Sequence, residues 1–317
     1  MTSIDLRQYV DPELLPLLDR LGPAHLDAAS LPEARALRQP PPGMRDSLQV
    51  FTTERHIPGM PDAPDVRVLI VTPEKTPTKP RPAILHIHGG GFVMGTPDMA
   101  LPMIRRWSNE LDCVVVSVDY RLAPEHPFPA PLEDCYAAFV WMTDIAAELD
   151  IDVTRVGVAG ESAGGGLAAG LALLAKQRGG PKLAFQNLQY PMLDDRTVLT
   201  VPTIPAAGAF LWTPEMNRFG WTSYLGGEPG AEGISPFAAP SRAHVLTDLP
   251  QTYIGVGTID LFIEEDLDYA RRLMQSGVPV EMEIFPGAFH AFELQPLAGI
   301  TTRSGTRRMD ALCRAMG

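Results

Sequence analysis

A serine flanked by glycines, at residues 160–164 (sequence GESAG), is the feature that most constrains the fold of this 317-residue chain. It follows an apolar run at 156–159 and precedes a helix-forming run at 167–174. When a strand passes into a helix through so short a turn, the intervening side chain is held out in a strained conformation that only small neighbours allow. The pattern therefore predicts a strand, a sharp turn that exposes Ser162, and a helix.

A second glycine-rich segment lies upstream of this motif. Chance alone would supply a G-x-S-x-G pattern roughly 0.1 times in a chain of this length, so an independent signal is needed. The strand-like run at 83–88 leads directly into Gly89, Gly90 and Gly91. Glycines let backbone N–H groups point at an oxyanion, and a nucleophilic serine generates one. The two motifs are therefore chemically complementary.

Length and composition fit one large α/β domain with an insertion, since 45% of the residues are hydrophobic and 20% are charged. The net charge of −12 is unfavourable for nucleic acid or an anionic membrane as a partner. No run reaches the length of a membrane-spanning helix, and residues 1–7 do not show the basic segment followed by an apolar one that is typical of a leader. Three widely spaced cysteines indicate neither a disulfide framework nor a zinc site. We therefore expect a cytoplasmic protein without a metal or cofactor.

Short β-branched runs alternate with helical stretches from residue 66 onward. Alternation of this kind predicts a mostly parallel sheet with helices on both faces. Functional residues of such sheets lie at the carboxyl ends of the strands. The predicted strands are 66–71, 83–88, 114–118, 156–159, 252–256 and 280–285.

Two further candidates follow predicted strands at this edge. Asp260 comes after the strand at 252–256, and His290 comes after the strand at 280–285. With Ser162 they give the order Ser, Asp, His, which is that of the α/β hydrolases, and we interpret them as a catalytic triad. Two alternatives stay open: His290 as a loop histidine without chemistry, and an acid supplied by one of the carboxylates at 264–268.

Other residues near these motifs also have two interpretations. His86 and His88 share one face of a strand and form either a metal-binding pair or, as we favour, structural supports of the glycine loop. The segment 120–125 (sequence YRLAPE) is either a binding loop or, with its proline, a structural turn, which we favour. Neither enters the set of catalytic candidates.

Two regions break the alternation of strands and helices. Residues 1–45 form an amino-terminal helical arm, and residues 195–240, rich in proline and aromatic residues, form a lid-like insertion. The remaining parts, 46–194 and 241–317, then make up the core.

Aromatic residues of the insertion either pack it onto the core or line a substrate pocket. Phe210 and Trp212 are the candidates for the pocket.

The motifs resemble those of the hormone-sensitive-lipase-like family of α/β-hydrolase esterases, in its bacterial carboxylesterase branch. The resemblance implies an α/β-hydrolase fold with a helical cap, built from an amino-terminal arm and an insertion after the sixth core strand. It extends over most of the chain and rests on residues 88–92, 120–125, 160–165, 190–195 and 287–292.

The same resemblance assigns roles to residues. Ser162 is implied as the nucleophile, His290 as the base and Asp260 as the acid. The backbone N–H groups of Gly90, Gly91 and Ala163 are implied as the oxyanion hole.

Two positions depart from the family pattern. The family usually has DPL at the acid, where this chain has Asp260, Leu261 and Phe262. The residue before the nucleophile, commonly aspartate, is Glu161. Neither departure removes a reacting group.

The resemblance implies a serine carboxylesterase that hydrolyses short- to medium-chain acyl esters of small molecules through an acyl-enzyme intermediate, without a cofactor or metal. The sequence shows no amphipathic membrane-binding segment, which disfavours an interfacial lipase. An acyltransferase or amidase that uses the same triad is an open alternative. A second is a ligand-binding protein on this fold, like plant relatives that have lost the histidine, although His290 is present here. The sequence leaves the oligomeric state open, a homo-oligomer included.

Overall fold

The computed structural model describes residues 5–22, 24–37 and 47–317. Within these ranges eight strands form one sheet in the order β1-β2-β4-β3-β5-β6-β7-β8. The pairs β1–β2 and β2–β4 are antiparallel, and the other five pairs are parallel. The strands are β1 (Val50–Ile57), β2 (Val66–Pro73), β3 (Arg81–Ile87), β4 (Val114–Asp119), β5 (Ile151–Glu161), β6 (Phe185–Gln189), β7 (Gln251–Gly257) and β8 (Val280–Phe285).

Helices cover both faces of the sheet. Neighbouring residues of a strand point to opposite faces, so Ile84 of β3 packs in the core cluster that contains residues of α3 and α8, and Leu85 packs in the cluster that contains residues of α4, α5 and α7. No helix of the described ranges is both long enough and apolar enough to cross a membrane. The helices are α1 (Leu15–Leu21), α2 (Leu31–Leu37), α3 (Leu101–Leu111), α4 (Ala130–Asp144), α5 (Ala163–Arg178), α6 (Pro214–Leu225), α7 (Ile263–Gln275) and α8 (Gly299–Met316).

All six predicted strands are confirmed, but two further strands were not predicted. β1 lies at one edge of the sheet and exposes its six central residues, so it lacks an apolar face. β6 is fully buried but has the sequence FQNLQ, in which amide side chains replace the apolar residues that signal a buried strand. Both strands were missed because polar residues replace the apolar residues by which a strand is recognised in a sequence.

The amino-terminal arm and the insertion both pack against loops at the carboxyl ends of the strands. In the arm, Val10 and Leu14 share a core cluster with Phe289, and the Asp11 N–H donates to the Gly287 carbonyl at 3.0 Å. Residues 1–4, 23 and 38–46, which include the predicted end of the arm, lie outside the described residues.

The insertion contains α6, whose Tyr224 stacks on Phe92 with ring centroids 4.0 Å apart. Its first residue forms a buried ion pair with Arg242, two residues beyond its end. Asp195 is fully buried and accepts from the Arg242 guanidinium at 2.6 and 2.9 Å, and from the Gly230 N–H at 2.5 Å. This pair therefore ties the start of the segment 195–240 to the chain just beyond its end.

Replacing Asp195 by alanine should destabilise the protein markedly. The change leaves Arg242, which is largely buried, without its carboxylate, and breaking a buried pair in this way typically costs about 3–5 kcal/mol of unfolding free energy. Urea denaturation followed by circular dichroism measures the loss. The control is Glu228→Ala in the same insertion, whose contact with Arg218 is long and solvent-exposed. Equal denaturation midpoints for the two variants would show that the buried pair does not hold the insertion.

Candidate active site

The turn that carries Ser162 has the strained geometry predicted from its glycines. Ser162 lies between β5 and α5 with φ +54° and ψ −121°, a conformation that is rare for residues other than glycine. A Cβ atom on Gly160 would lie 2.3 Å from the Gly164 carbonyl oxygen, and one on Gly164 would lie 2.1 Å from the Ile87 carbonyl oxygen. The predicted strand, turn and helix are confirmed, and only glycine fits at both flanking positions.

The three residues predicted as a triad lie in one hydrogen-bonded line. Ser162 Oγ is 2.8 Å from His290 Nε2, and His290 Nδ1 is 2.9 Å from Asp260 Oδ2. The other oxygen of Asp260 accepts from the Phe262 N–H at 2.9 Å. All three side chains are buried, and Asp260 is completely so. With the imidazole proton on Nδ1, the arrangement leaves Nε2 free to accept the serine proton.

The alternative acids do not take the place of Asp260. Asp266 is buried, and its carboxylate has no hydrogen-bond partner among the described residues. The other three bind elsewhere: Glu264 to Thr203, Glu265 to the Leu193 and Asp194 N–H groups, and Asp268 to Arg271.

The two residues after Asp260, where the sequence departs from the family pattern, support the site. The Leu261 side chain packs against Gly208 of the insertion. The Phe262 ring meets the His290 imidazole edge to face, with centroids 5.1 Å apart and planes at 87°. The departure therefore leaves the carboxylate in line with the imidazole.

The glycine loop after β3 lies directly beside the serine. A Cβ atom on Gly89 would be 3.5 Å from the Ser162 Cβ. Gly90 and Gly91 have φ values of +128° and +61°, in the region that favours glycine. Ala163 is the first residue of α5, where backbone N–H groups have no intrahelical acceptor and the helix dipole favours negative charge. These N–H groups have the properties needed to bind an oxyanion.

The two candidate pocket residues lie at different depths. Trp212 is almost completely buried, donates from Nε1 to Asn217 Oδ1 at 3.2 Å, and lies so close to Gly91 that a Cβ there would be 2.2 Å from the indole. Phe210 is half-buried and packs on Phe289, with centroids 5.9 Å apart. Trp212 is therefore adjacent to the glycine loop. Phe210 instead contacts Phe289, the residue before His290.

A buried charge network that sequence reasoning missed lies behind the serine. Glu161 accepts from Arg308 at 2.6 Å and lies 3.0 Å from His86 Nε2, while Arg308 also donates to Asn187 at 2.7 Å. Burial raises the pKa of Glu161, but the positive charge of Arg308 and the contact with His86 outweigh it and hold the pKa at about 2. Glu161 is thus an anchored anion next to Ser162. Its signal in the sequence was an arginine, Arg308, on the buried face of α8.

His88, just after β3, and the segment 120–125 make contacts within the fold. Burial lowers the pKa of His88 to about 4, and its ring stacks on Tyr120 at 4.2 Å. Arg121 binds the buried Asp134 through several hydrogen bonds. In the part of the chain that the structure describes, no group of three or more His, Cys, Asp or Glu side chains is arranged to hold a metal ion.

Comparison with known proteins agrees with this fold. A family model described as the alpha/beta hydrolase fold matches residues 84–294. Carboxylesterase NlhH of Mycobacterium tuberculosis is 34% identical over 320 residues, which cover 98% of this chain and 97% of that protein. Esterase LipI of the same organism is 34% identical over 256 residues, 75% of this chain and 78% of the relative.

Among solved structures, a bacterial heroin esterase superposes with a TM-score of 0.90 at 38% identity, covering 99% of this chain and all of that chain. The chain therefore belongs to the α/β-hydrolase fold family. The resemblance to its hormone-sensitive-lipase-like branch is confirmed.

The Glu161–Arg308 pair should contribute strongly to stability. Arg308→Met leaves a buried carboxylate with only His86 beside it, and we expect the unfolding free energy to fall by about 3–5 kcal/mol at neutral pH. The control is Arg307→Met, whose contact with Glu283 is exposed. Urea denaturation of both variants measures the difference.

The effect of Arg308→Met should depend on pH. Because the folded-state pKa of Glu161 is depressed from 4.5 to about 2, its stabilising contribution is present above pH 4.5 and is lost as the pH falls towards 2. The gap between wild type and variant should therefore shrink in acid. A gap that is constant from pH 7 to pH 3 would contradict the assignment.

Proposed function

We propose that this protein is a serine carboxylesterase that hydrolyses short- to medium-chain acyl esters. The observation that carries the proposal is the continuous hydrogen-bonded line from Ser162 through His290 to Asp260. The similarity to proteins named esterase and carboxylesterase supports the same reaction class.

In the proposed first step, His290 Nε2 takes the proton of Ser162 as Oγ attacks the ester carbonyl. The oxyanion that forms is stabilised by the N–H groups of Gly90, Gly91 and Ala163, each such donor being worth about 3–4 kcal/mol in the transition state. The geometry of the glycine loop beside the serine supports this role.

In the following steps, the protonated His290 gives its proton to the departing alcohol, which leaves an acyl group on Ser162. A water molecule, deprotonated by His290, then attacks the acyl carbonyl and releases the acid. Asp260 stays ionised, holds the imidazole proton on Nδ1 and stabilises the imidazolium. The complete burial of Asp260 between His290 and the Phe262 N–H supports that function.

Ser162→Ala should abolish ester hydrolysis. Initial rates on p-nitrophenyl esters from acetate to palmitate, at neutral pH without added metal, should fall by about 10⁵-fold or more, as in other serine hydrolases that lose the nucleophile. The control is Ser241→Ala, a buried serine whose hydroxyl has no hydrogen-bond partner among the described residues. Activity of Ser162→Ala equal to that of wild type would overturn the proposal. A folded wild type that binds esters without turnover would instead indicate a ligand-binding protein.

We also propose that Trp212 and Phe210 line the pocket for the acyl chain. This pocket favours esters with short acyl chains. Trp212 supports this because its indole, held by Asn217, touches Gly91 of the glycine loop. A rigid aromatic ring at that point leaves little room beyond the reacting carbonyl. Phe210 lies further from the serine and shapes the pocket through Phe289.

Trp212→Ala should shift the preference to longer acyl chains. Removing the indole opens space next to the glycine loop, so we expect the ratio of kcat/KM for octanoate to that for acetate to rise about tenfold, a change typical of a hydrophobic pocket that gains volume. Trp141→Ala, the same substitution in α4, serves as the control, because Trp141 contacts Arg55 and lies in the core rather than in the insertion. An unchanged ratio in Trp212→Ala would exclude Trp212 from the acyl pocket.

The cap and the location of the protein belong to the same proposal. The arm and the insertion at 195–240 form the cap, which is supported by the contact of Asp11 with Gly287 and by the stacking of Tyr224 on Phe92. A cytoplasmic location is supported by the free state of all three cysteines, which is usual for reducing compartments.

The alternative reaction, acyl transfer to an added alcohol, would proceed through the same acyl-enzyme intermediate as hydrolysis. The ratio of ester to acid products in the presence of an added alcohol measures how much of each reaction occurs.

A further inference from the structure

The segment that follows β6 touches both partners of the serine–histidine hydrogen bond. The Gln189 carbonyl accepts from the Ser162 N–H, and the Met192 N–H donates to the Ser162 carbonyl, each at 2.9 Å. Between these residues, the Tyr190 ring lies against the His290 imidazole, with centroids 4.6 Å apart and planes at 60°. This short segment is therefore placed to fix the serine and the histidine relative to each other.

The backbone of Tyr190 is strained. Its φ of +36° lies in the left-handed region, where a bulky residue is rare. The Tyr190 N–H is held by the Gly255 carbonyl at 2.6 Å, and the side chain is buried. Conformations of this kind persist where the surroundings over-determine them, and they concentrate at functional sites.

The Tyr190 hydroxyl is tied to the loop that carries the histidine. It donates to Glu293 Oε2 at 2.8 Å, and Gln189 Nε2 donates to Glu293 Oε1 at the same distance. Glu293 lies three residues after His290, in the 3-10 helix Phe292–Leu294. Burial raises the pKa of Tyr190 well above its usual value, so the hydroxyl remains a neutral donor. Two consecutive residues thus hold both oxygens of one carboxylate.

We propose that Tyr190 is a positioning residue for His290: its ring packs against the imidazole, and its hydroxyl anchors the histidine loop through Glu293. The inference rests on the proposed esterase function. Phe262, the residue before α7, also contacts the imidazole, and Asp260 binds its Nδ1, so the ring is held from three directions. Loss of the hydroxyl shifts the base relative to the serine and leaves the substrate contacts in place.

Tyr190→Phe tests this directly, because it keeps the ring and removes only the hydroxyl. We expect kcat for p-nitrophenyl butyrate to fall about tenfold, since a small displacement of a base slows the chemical step, and KM to stay within about twofold. The control is Tyr253→Phe in β7, whose hydroxyl has no hydrogen-bond partner among the described residues. A wild-type kcat in Tyr190→Phe, or a change in KM alone, would overturn the proposal.

A double-mutant cycle tests the route through Glu293. If the hydroxyl acts by way of this carboxylate, Glu293→Ala should lower kcat, and the double variant Tyr190→Phe with Glu293→Ala should be no slower than Glu293→Ala alone. Fully additive losses would show that the hydroxyl acts on His290 by another route and would overturn the anchoring role.

A spectroscopic measurement separates this inference from the esterase proposal. Nitrogen–proton NMR spectra of histidine-labelled protein report the tautomer and hydrogen bonds of His290 without any turnover. We expect the His290 ring signals to shift in Tyr190→Phe and to stay unchanged in Tyr253→Phe. If the wild type hydrolyses no ester but the His290 signals shift in Tyr190→Phe, the positioning role remains intact and the esterase is rejected. Unchanged signals in an active enzyme would reject the positioning role.

Discussion

The left-handed backbone of Ser162 determines how the site is built. A residue with φ +54° between a strand and a helix is stable only if its neighbours leave space for the turn, and Gly160 and Gly164 provide it. The turn then exposes the hydroxyl to the imidazole and starts α5, which brings the Ala163 N–H to the same side. One local distortion thus sets the direction of the Ser162 hydroxyl and of the Ala163 N–H, the proposed nucleophile and one proposed oxyanion donor.

Each main component of the site comes from a different strand end, and the parallel sheet brings these ends together. The glycine loop follows β3, Ser162 follows β5, Asp260 follows β7 and His290 follows β8. β6 provides none of the proposed reacting groups, but its end binds the serine backbone and the histidine loop. The sheet therefore brings the candidate triad and its supporting residues together at the carboxyl ends of its parallel strands.

The sequence predicted the parts of this arrangement that depend on local geometry. Ser162, Asp260 and His290 were found because each follows a recognisable strand, and glycine is a visible requirement of the tight turn and of the loop. The Glu161–Arg308 pair and the Tyr190–Glu293 contact were not found, because they join residues 147 and 103 positions apart. Strand β6 was not predicted either, because its buried glutamine and asparagine residues interrupt the apolar run that would indicate a buried strand. Long-range polar pairing follows from packing, which no local pattern encodes.

The contact between α8 and Glu161 also has a consequence for how the protein is made. Glu161 precedes its partner Arg308, on α8, by 147 positions. As the polypeptide emerges from the ribosome, the carboxylate beside Ser162 is therefore made long before the arginine that neutralises it. Burial of an unpaired carboxylate is unfavourable. We therefore expect Glu161 to become buried only after Arg308 has been synthesised.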